Sequence, residues 1–346
     1  MNRTDLATIR AMFDAFVDPI LLLNESRCIL QLNRSARDHL GGDVTGRQLS
    51  DLIQSPHVHA AIDHALKGET SDAIELVLPD NIDRTYNCNV TPLFISAKAG
   101  NPRVMITLHD ITDVRRSEQL RVDFLSNASH ELKTPLASLL GFIETLQGPA
   151  KGDVEAHERF LAIMHSQASR MTRLVQDLLS LARIEFNEHI TPTARIELAP
   201  IAQQAVTQLE KKAAERGVKL RLHLPGTSLP GIFGDADQLF QLMQNLIENA
   251  IKYTTENTPI DVTLAKEKDR IHLVVRDHGP GIERQHLARL TERFYRIDSG
   301  RSRHMGGTGL GLSIVKHIVN RHRATLLIES DPGQGSRFSV HFPVAV

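Results

Sequence analysis

The chain has 346 residues, 40 Lys or Arg against 41 Asp or Glu, and a formal net charge of −1, so bulk charge gives no reason to expect a nucleic-acid partner. With 41% hydrophobic and 23% charged residues it has the balance of a folded protein, and its length suggests two or three domains. Its two cysteines, Cys28 and Cys88, exclude a disulfide framework and a Cys-rich zinc site and fit a reducing compartment.

No apolar run reaches the roughly 18 residues of a membrane helix. The best candidate, Phe16 to Leu23, is broken by Asp18 and Pro19, and the acidic N-terminus with Asp5 and Asp14 has no signal core. The expected location is the cytoplasm, or the inner face of the plasma membrane through a partner or a missing N-terminal anchor.

In chain order, residues 1–112 read as a mixed α/β domain. Ile20 to Leu23, the turn Asn24-Glu25-Ser26 and Cys28 to Leu32 form a hairpin pattern. Val58 to Gly68 alternates like a helix, and Ile74 to Leu78, Tyr86 to Thr91 and Val104 to Leu108 read as strands. Residues 113–187 read as a helical hairpin. Leu125, Ser129, Leu132, Leu136, Leu139, Ile143 and Leu146 step by fours and threes, Gln147 to Asp153 breaks the helix, and a second heptad runs from Phe160 to Leu181. One hairpin leaves its apolar seam half covered, so a homodimeric four-helix bundle is predicted. Residues 190–346 return to α/β. Helices are predicted over Ala199–Arg216, Asp235–Tyr253, Glu283–Thr291 and Leu310–Arg323. Strands are predicted over Val218–Leu224, Ile260–Leu264, Ile271–Asp277, Ala324–Ser330 and Ser336–Phe342.

The first long helix carries Ser129-His130-Glu131-Leu132-Lys133-Thr134-Pro135. Ser129 is on the seam, so His130 lies about 100° round, on the accessible flank. A neutral imidazole there is a good nucleophile near neutral pH. Glu131 can orient the ring or take its proton, and Thr134 is one turn above on the same face. Pro135 is expected to bend the helix past the histidine. Taken alone, His130 reads equally well as a surface histidine of a coiled coil.

In the third segment Asn245 and Asn249 share a helical stripe, with Lys252 and Tyr253 one turn on. Two amide oxygens and an ammonium suit a Mg²⁺-bound polyphosphate, although one Asn pair alone reads as a polar face. A strand then delivers Asp277 into Asp277-His278-Gly279-Pro280-Gly281, and a carboxylate there can accept from an exocyclic amine, or merely cap a turn. Gly307-Thr308-Gly309-Leu310-Gly311 opens a helix in the manner of a phosphate cradle. Before it, Arg293-Phe294-Tyr295-Arg296 and the polar stretch Asp298 to Met305 read as a mobile basic lid with Phe294 as apolar latch. Gly333 to Ser336 reads as a hairpin turn. His57, His59 and His64 read as scattered surface histidines rather than a metal or haem site, and Cys28 and Cys88 as small strand residues.

These motifs in this order resemble the sensor histidine kinases of two-component systems, over about Leu120 to Pro343. Ser129 to Leu136 is similar to the family's phosphoacceptor motif, and the stretches at Asn245, Asp277, Arg293 and Gly306 are similar to its ATP-site motifs. Asp123 to Leu132 looks most like the phosphate-regulon sensor kinases. The first domain, with Asn33 and Asp110-Ile111-Thr112, resembles a PAS sensor domain. The departure is His322-Arg323-Ala324, where the family often has His-Gly-Gly.

The resemblance implies a multidomain α+β protein whose last domain is an α/β sandwich of the Hsp90, gyrase and histidine-kinase type. His130 would attack the γ-phosphoryl of ATP, with Glu131 as base or ring orienter. Asn249 and Asn245 would hold Mg²⁺, Lys252 would neutralise phosphate, Tyr253 would line the nucleotide and Asp277 would read adenine. Gly279, Gly281, Gly307, Thr308, Gly309, Leu310 and Gly311 would cradle it, with Arg296 reaching the γ-phosphate. The phosphoryl group would pass to an Asp of a response-regulator receiver domain, and Thr134 would serve a regulator phosphatase. An unidentified small ligand or protein would signal at the PAS domain. The competing readings are a phosphatase-biased or non-catalytic scaffold on the same fold, and an ATPase of the Hsp90 kind, which places a general-base Glu where this chain has Asn245.

Overall fold

The computed structural model describes residues 3–78, 81–93, 103–297 and 307–345. Two compact units divide at Asp123 and Phe124, and each has its own apolar core.

The first unit contains α1 (Arg3–Ala15), β1 (Ile20–Leu23), β2 (Ile29–Leu32), α2 (Arg34–His39), α3 (Pro56–Leu66), β3 (Ile74–Leu78), β4 (Asn81–Leu93) and β5 (Arg103–Asp110). The five strands form one antiparallel sheet in the order β2-β1-β5-β4-β3. Leu21, Leu23, Val104, Ile106 and Leu108 are buried with Val58 and Ile62 of α3, as period-2 and helical alternation require. Asn33 is buried. Its Oδ1 accepts from the amides of Ile20 and Ala36, and its Nδ2 donates to the carbonyls of Phe16 and Asp18. One side chain thereby caps α2 and fixes the start of β1. The predicted strand at Tyr86 to Thr91 extends further both ways, because the flanking polar residues pair with β3 and β5 without apolar alternation to announce them. Helix α1 is an addition to the expected elements.

Helix α4 (Thr112–Gln147) runs unbroken through Pro135, and α5 (Val154–Phe186) begins at Asp153, whose Oδ1 accepts from the Ala156 amide at 2.9 Å. Leu125, Leu136 and Ile143 of the predicted seam remain exposed on this single chain.

The rest of the second unit comprises β6 (Arg195–Ile196), α6 (Leu198–Ala214), β7 (Lys219–His223), β8 (Ile232–Phe233), α7 (Ala236–Tyr253), β9 (Pro259–Glu267), β10 (Arg270–Arg276), α8 (Arg284–Leu287), α9 (Gly311–Arg321), β11 (Thr325–Ser330) and β12 (Ser336–Pro343). The sheet order is β11-β12-β10-β9-β7, antiparallel except for the β7–β9 pair. Ile260, Val262 and Leu264 of β9 and Ile271, Leu273 and Val275 of β10 bury one face against α6, α7 and α9. Each such side chain contributes roughly 1.5–3 kcal/mol. The helix predicted over 283–291 is only one turn, α8. Beyond it the backbone continues as turns, with Arg289 N on His286 O and Glu292 N on Arg289 O. Arg323 takes φ 51° at the end of α9, the left-handed conformation that glycine adopts more readily.

Candidate nucleotide and phosphoacceptor site

A cavity of about 780 Å³ opens in the second unit. Helix α7 gives it Gln241, Gln244, Asn245, Glu248, Asn249, Lys252 and Tyr253. These recur at helical spacing on one side, while Leu239, Leu242, Met243, Leu246 and Ile247 bury the other. The Asp277 turn contributes Asp277, Gly281 and Ile282, and the glycine-rich loop contributes Gly307, Thr308, Gly309 and Gly311. Tyr295, Arg296 and Ile297 close a further side.

Asp277 is 3% exposed. Its Oδ1 accepts from the amides of Gly279 at 2.9 Å and Ser336 at 3.1 Å, and Oδ2 has no hydrogen bond among the described residues. Burial pushes the carboxyl above its ordinary range, and those two amides pull against it. The Gly333–Ser336 turn is the β11–β12 hairpin turn, and it also supplies the amide that aims Asp277. Gly279 does not line the cavity. A Cβ there would stand 2.3 Å from the Tyr253 carbonyl oxygen, so this glycine lets the turn close on the end of α7. Leu310 is also outside the lining and wholly buried. Gly309 has φ +77°, and a Cβ there would meet the Phe294 backbone at 2.9 Å. The Phe294 amide donates to the Gly309 carbonyl at 2.9 Å, so the loop and the Arg293–Arg296 segment are held together.

Burial lowers the Lys252 ammonium from its usual range, with Glu248 pulling it back up. The donor set fits Mg²⁺. A hard cation that keeps waters and phosphate oxygens needs only one or two protein oxygens, and Asn245 and Asn249 supply amides in the cavity. Asn245 Nδ2 is buried without a partner among the described residues.

His130 is exposed on α4, and neither it, Glu131 nor Thr134 lines the cavity. The Thr134 hydroxyl donates to the His130 carbonyl at 3.2 Å. Glu131 is the link, since Arg296, which lines the cavity, stands 3.9 Å from its Oε2. Phe294 packs on Phe124 of α4 at 5.8 Å between ring centroids, and Arg293 pairs with Glu185 of α5 at 2.6 Å. The lid expected over Asp298 to Met305, with Arg301 and Arg303, and Gly306 beside it, lie outside the described residues.

Sequence reasoning missed the contribution of α5. Arg173, Gln176 and Asp177 line the cavity, and Thr308 Oγ1 donates to Asp177 Oδ2 at 2.7 Å across 131 residues of sequence. Burial pushes the Asp177 carboxyl up, against the Thr308 hydrogen bond and the charge of Lys252. No local pattern marks these residues. Gln241 and Glu248 were within reach, because they stand four before and three after Asn245, and Gln244 follows Gln241 by three.

Elsewhere, His59 contacts the Ile53 carbonyl at 3.0 Å, and His64 pairs with Glu69 at 2.5 Å. Cys88 is buried on β4 and its thiol is pushed up to about 12 by burial. Cys28 is not on a strand run but on an isolated bridge to Gln48.

Residues 17–113 match the PAS domain family, 120–187 the His Kinase A (phospho-acceptor) domain, and 234–346 the histidine kinase-, DNA gyrase B- and HSP90-like ATPase family. The chain therefore has the domains of a sensor kinase. It is 35% identical over 334 residues to the phosphate regulon sensor protein PhoR of Pseudomonas aeruginosa, covering 96% of this chain and 73% of that protein. It is 27% identical over 344 residues to the sensor protein SrrB of Staphylococcus aureus, of whose length it spans 55%. Among solved structures, histidine kinase ThkA in complex with response regulator protein TrrA shares the fold, with TM-score 0.52, 21% identity, and coverage of 97% of this chain and 98% of that one. The chain belongs to the two-component sensor histidine kinases.

Proposed function

We propose that the chain autophosphorylates on His130 with ATP and passes the phosphoryl group to an Asp of a response-regulator receiver domain. One observation carries this reading. A single cavity gathers Asn245, Asn249, Lys252, Asp277 and the glycine-rich loop, and Arg296 on its wall approaches the carboxylate next to His130. Asp277 Oδ2 accepts the exocyclic amine of adenine. Thr308 and the Gly307–Gly311 amides meet the phosphates, and Lys252 neutralises their charge. Tyr253 lines the nucleotide, and Arg296 reaches the γ-phosphate.

A ring nitrogen of His130 bonds to the γ-phosphorus as the bond to the bridging oxygen of ADP breaks. The proton on the other ring nitrogen passes to Glu131. Asn249 and Asn245 would hold Mg²⁺, which would supply charge neutralisation on the phosphate oxygens. Thr134, exposed one turn from His130, orients water for hydrolysis of the phosphorylated regulator. The domains run 1–112, 113–187 and 190–346, two hairpins pair in a homodimer, and the first domain takes an unidentified ligand or protein signal. No helix among the described residues is long and apolar enough to cross a membrane.

The test is incubation with Mg²⁺ and γ-labelled ATP beside His130→Gln. Acid-labile, alkali-stable label absent from the variant supports the reading. An unlabelled wild type with intact nucleotide binding moves it to a phosphatase or scaffold, to be assayed on a phosphorylated regulator with Thr134→Ala.

A further inference from the structure

Glu131 follows His130 directly, yet neighbouring side chains on a helix diverge by about 100° and do not face each other. Nothing in α4 itself aims this carboxylate. The structure supplies an anchor from the opposite helix of the hairpin: Arg170 Nη2 of α5 donates to Glu131 Oε2 at 2.7 Å. The side chains are 15% and 30% exposed, so the pair is partly withdrawn from water, where a charge-assisted hydrogen bond selects a rotamer more strongly than at the open surface. Arg296 stands 3.9 Å from that same oxygen. Glu131 Oε1 carries no hydrogen bond among the described residues.

The two arginines have different standing. Arg170 belongs to the same hairpin as His130, so its hold on Glu131 does not depend on the ATP-binding segment. Arg296 lines the nucleotide cavity and reaches Glu131 from that side. We infer that Arg170 is a positioning residue for phosphoryl transfer: it fixes Glu131 through Oε2 and leaves Oε1 to accept the proton from the His130 ring. The inference rests on the proposed roles of His130 and Glu131. It adds that those roles require a guanidinium from α5, and that Arg296 joins the same carboxylate when the nucleotide site stands over the hairpin.

The experiment measures autophosphorylation rate and nucleotide affinity of the full chain separately, with γ-labelled ATP and with a fluorescent ADP analogue. Arg170→Met is expected to slow labelling about tenfold or more, the scale of a misplaced catalytic group, with unchanged nucleotide affinity. Arg170→Lys is expected to recover part of the rate. In a Glu131→Gln background, followed over long incubations, Arg170→Met is expected to cost nothing further, because its only route to the reaction is gone. Equal losses in both backgrounds would assign Arg170 to packing and overturn the inference, as would wild-type labelling by Arg170→Met. If Arg170→Met fails to fold by circular dichroism, Arg170→Gln takes its place in the same cycle. Label persisting in His130→Gln would overturn the underlying reading itself, and that result is independent of any Arg170 variant.

Discussion

Asp277 commits one carboxylate oxygen to two backbone amides, and the other has no hydrogen bond among the described residues and is the one proposed to meet adenine. A hydrogen bond to a charged group contributes roughly 1.5–3 kcal/mol, so Asp277→Asn is expected to weaken ATP about tenfold to a hundredfold, measured by titration calorimetry. Asp177 acts in the opposite sense. Its carboxylate lies in the cavity proposed for the triphosphate and occupies the Thr308 hydroxyl. Asp177→Asn is expected to tighten nucleotide binding about twofold to fivefold, the scale of a partly screened charge pair of ~0.5–1 kcal/mol.

His322 supplies a pH dependence. Its Nε2 accepts from the Asp235 amide at 3.0 Å and its Nδ1 faces the Ile318 carbonyl at 2.8 Å, a pattern that only the neutral Nδ1–H ring satisfies. Burial, the largest influence, lowers its pKa from 6.5. Above that value the ring is neutral in both folded and unfolded chains, and its stabilising effect is complete. As pH falls below it, the unfolded chain takes up a proton first, and stability declines until the lowered folded value is passed. Melting temperature measured against pH is expected to fall less steeply below pH 6.5 in His322→Gln than in the parent chain.

At the scale of elements, the hairpin of α4 and α5 depends on its turn. Asp153 caps α5 through the Ala156 amide, and losing such a cap costs about 1 kcal/mol. Asp153→Ala is expected to lower the melting temperature by a few degrees and leave nucleotide affinity unchanged. The heptads and the break between them made this hairpin readable, because the 3.5-residue period and the Gly-Pro break are local properties. The Asp277 turn and the α7 stripe were readable for the same reason. Helix α8 was overestimated because its apolar and polar residues fit a helix locally, while the chain needs turns there to bring Tyr295 to His286, whose Nδ1 lies 2.7 Å from the Tyr295 hydroxyl.

At the scale of the whole molecule, an exposed apolar stripe on a helical hairpin calls for a partner. Leu125, Leu136, Leu140 and Ile143 remain exposed, and covering such a stripe in water is favourable. The proposed homodimer predicts that Leu136→Glu sediments as a monomer where the parent chain sediments as a dimer. Nucleotide affinity should survive, since no seam residue lines the cavity.

The sequence by itself determined most of the elements, the order of the motifs and a core of the cavity lining that includes Asn245, Asn249, Lys252, Asp277 and the glycine-rich loop, because helical and strand periods and glycine-rich turns act over a few residues. Only the tertiary structure decided which carboxylate oxygen of Asp277 the backbone amides occupy, that Asp177 reaches Thr308, and that Glu131 is held by Arg170. Those contacts join residues 39 to 131 positions apart, and a pairing over such distances depends on how helices and sheet pack, which no local pattern encodes.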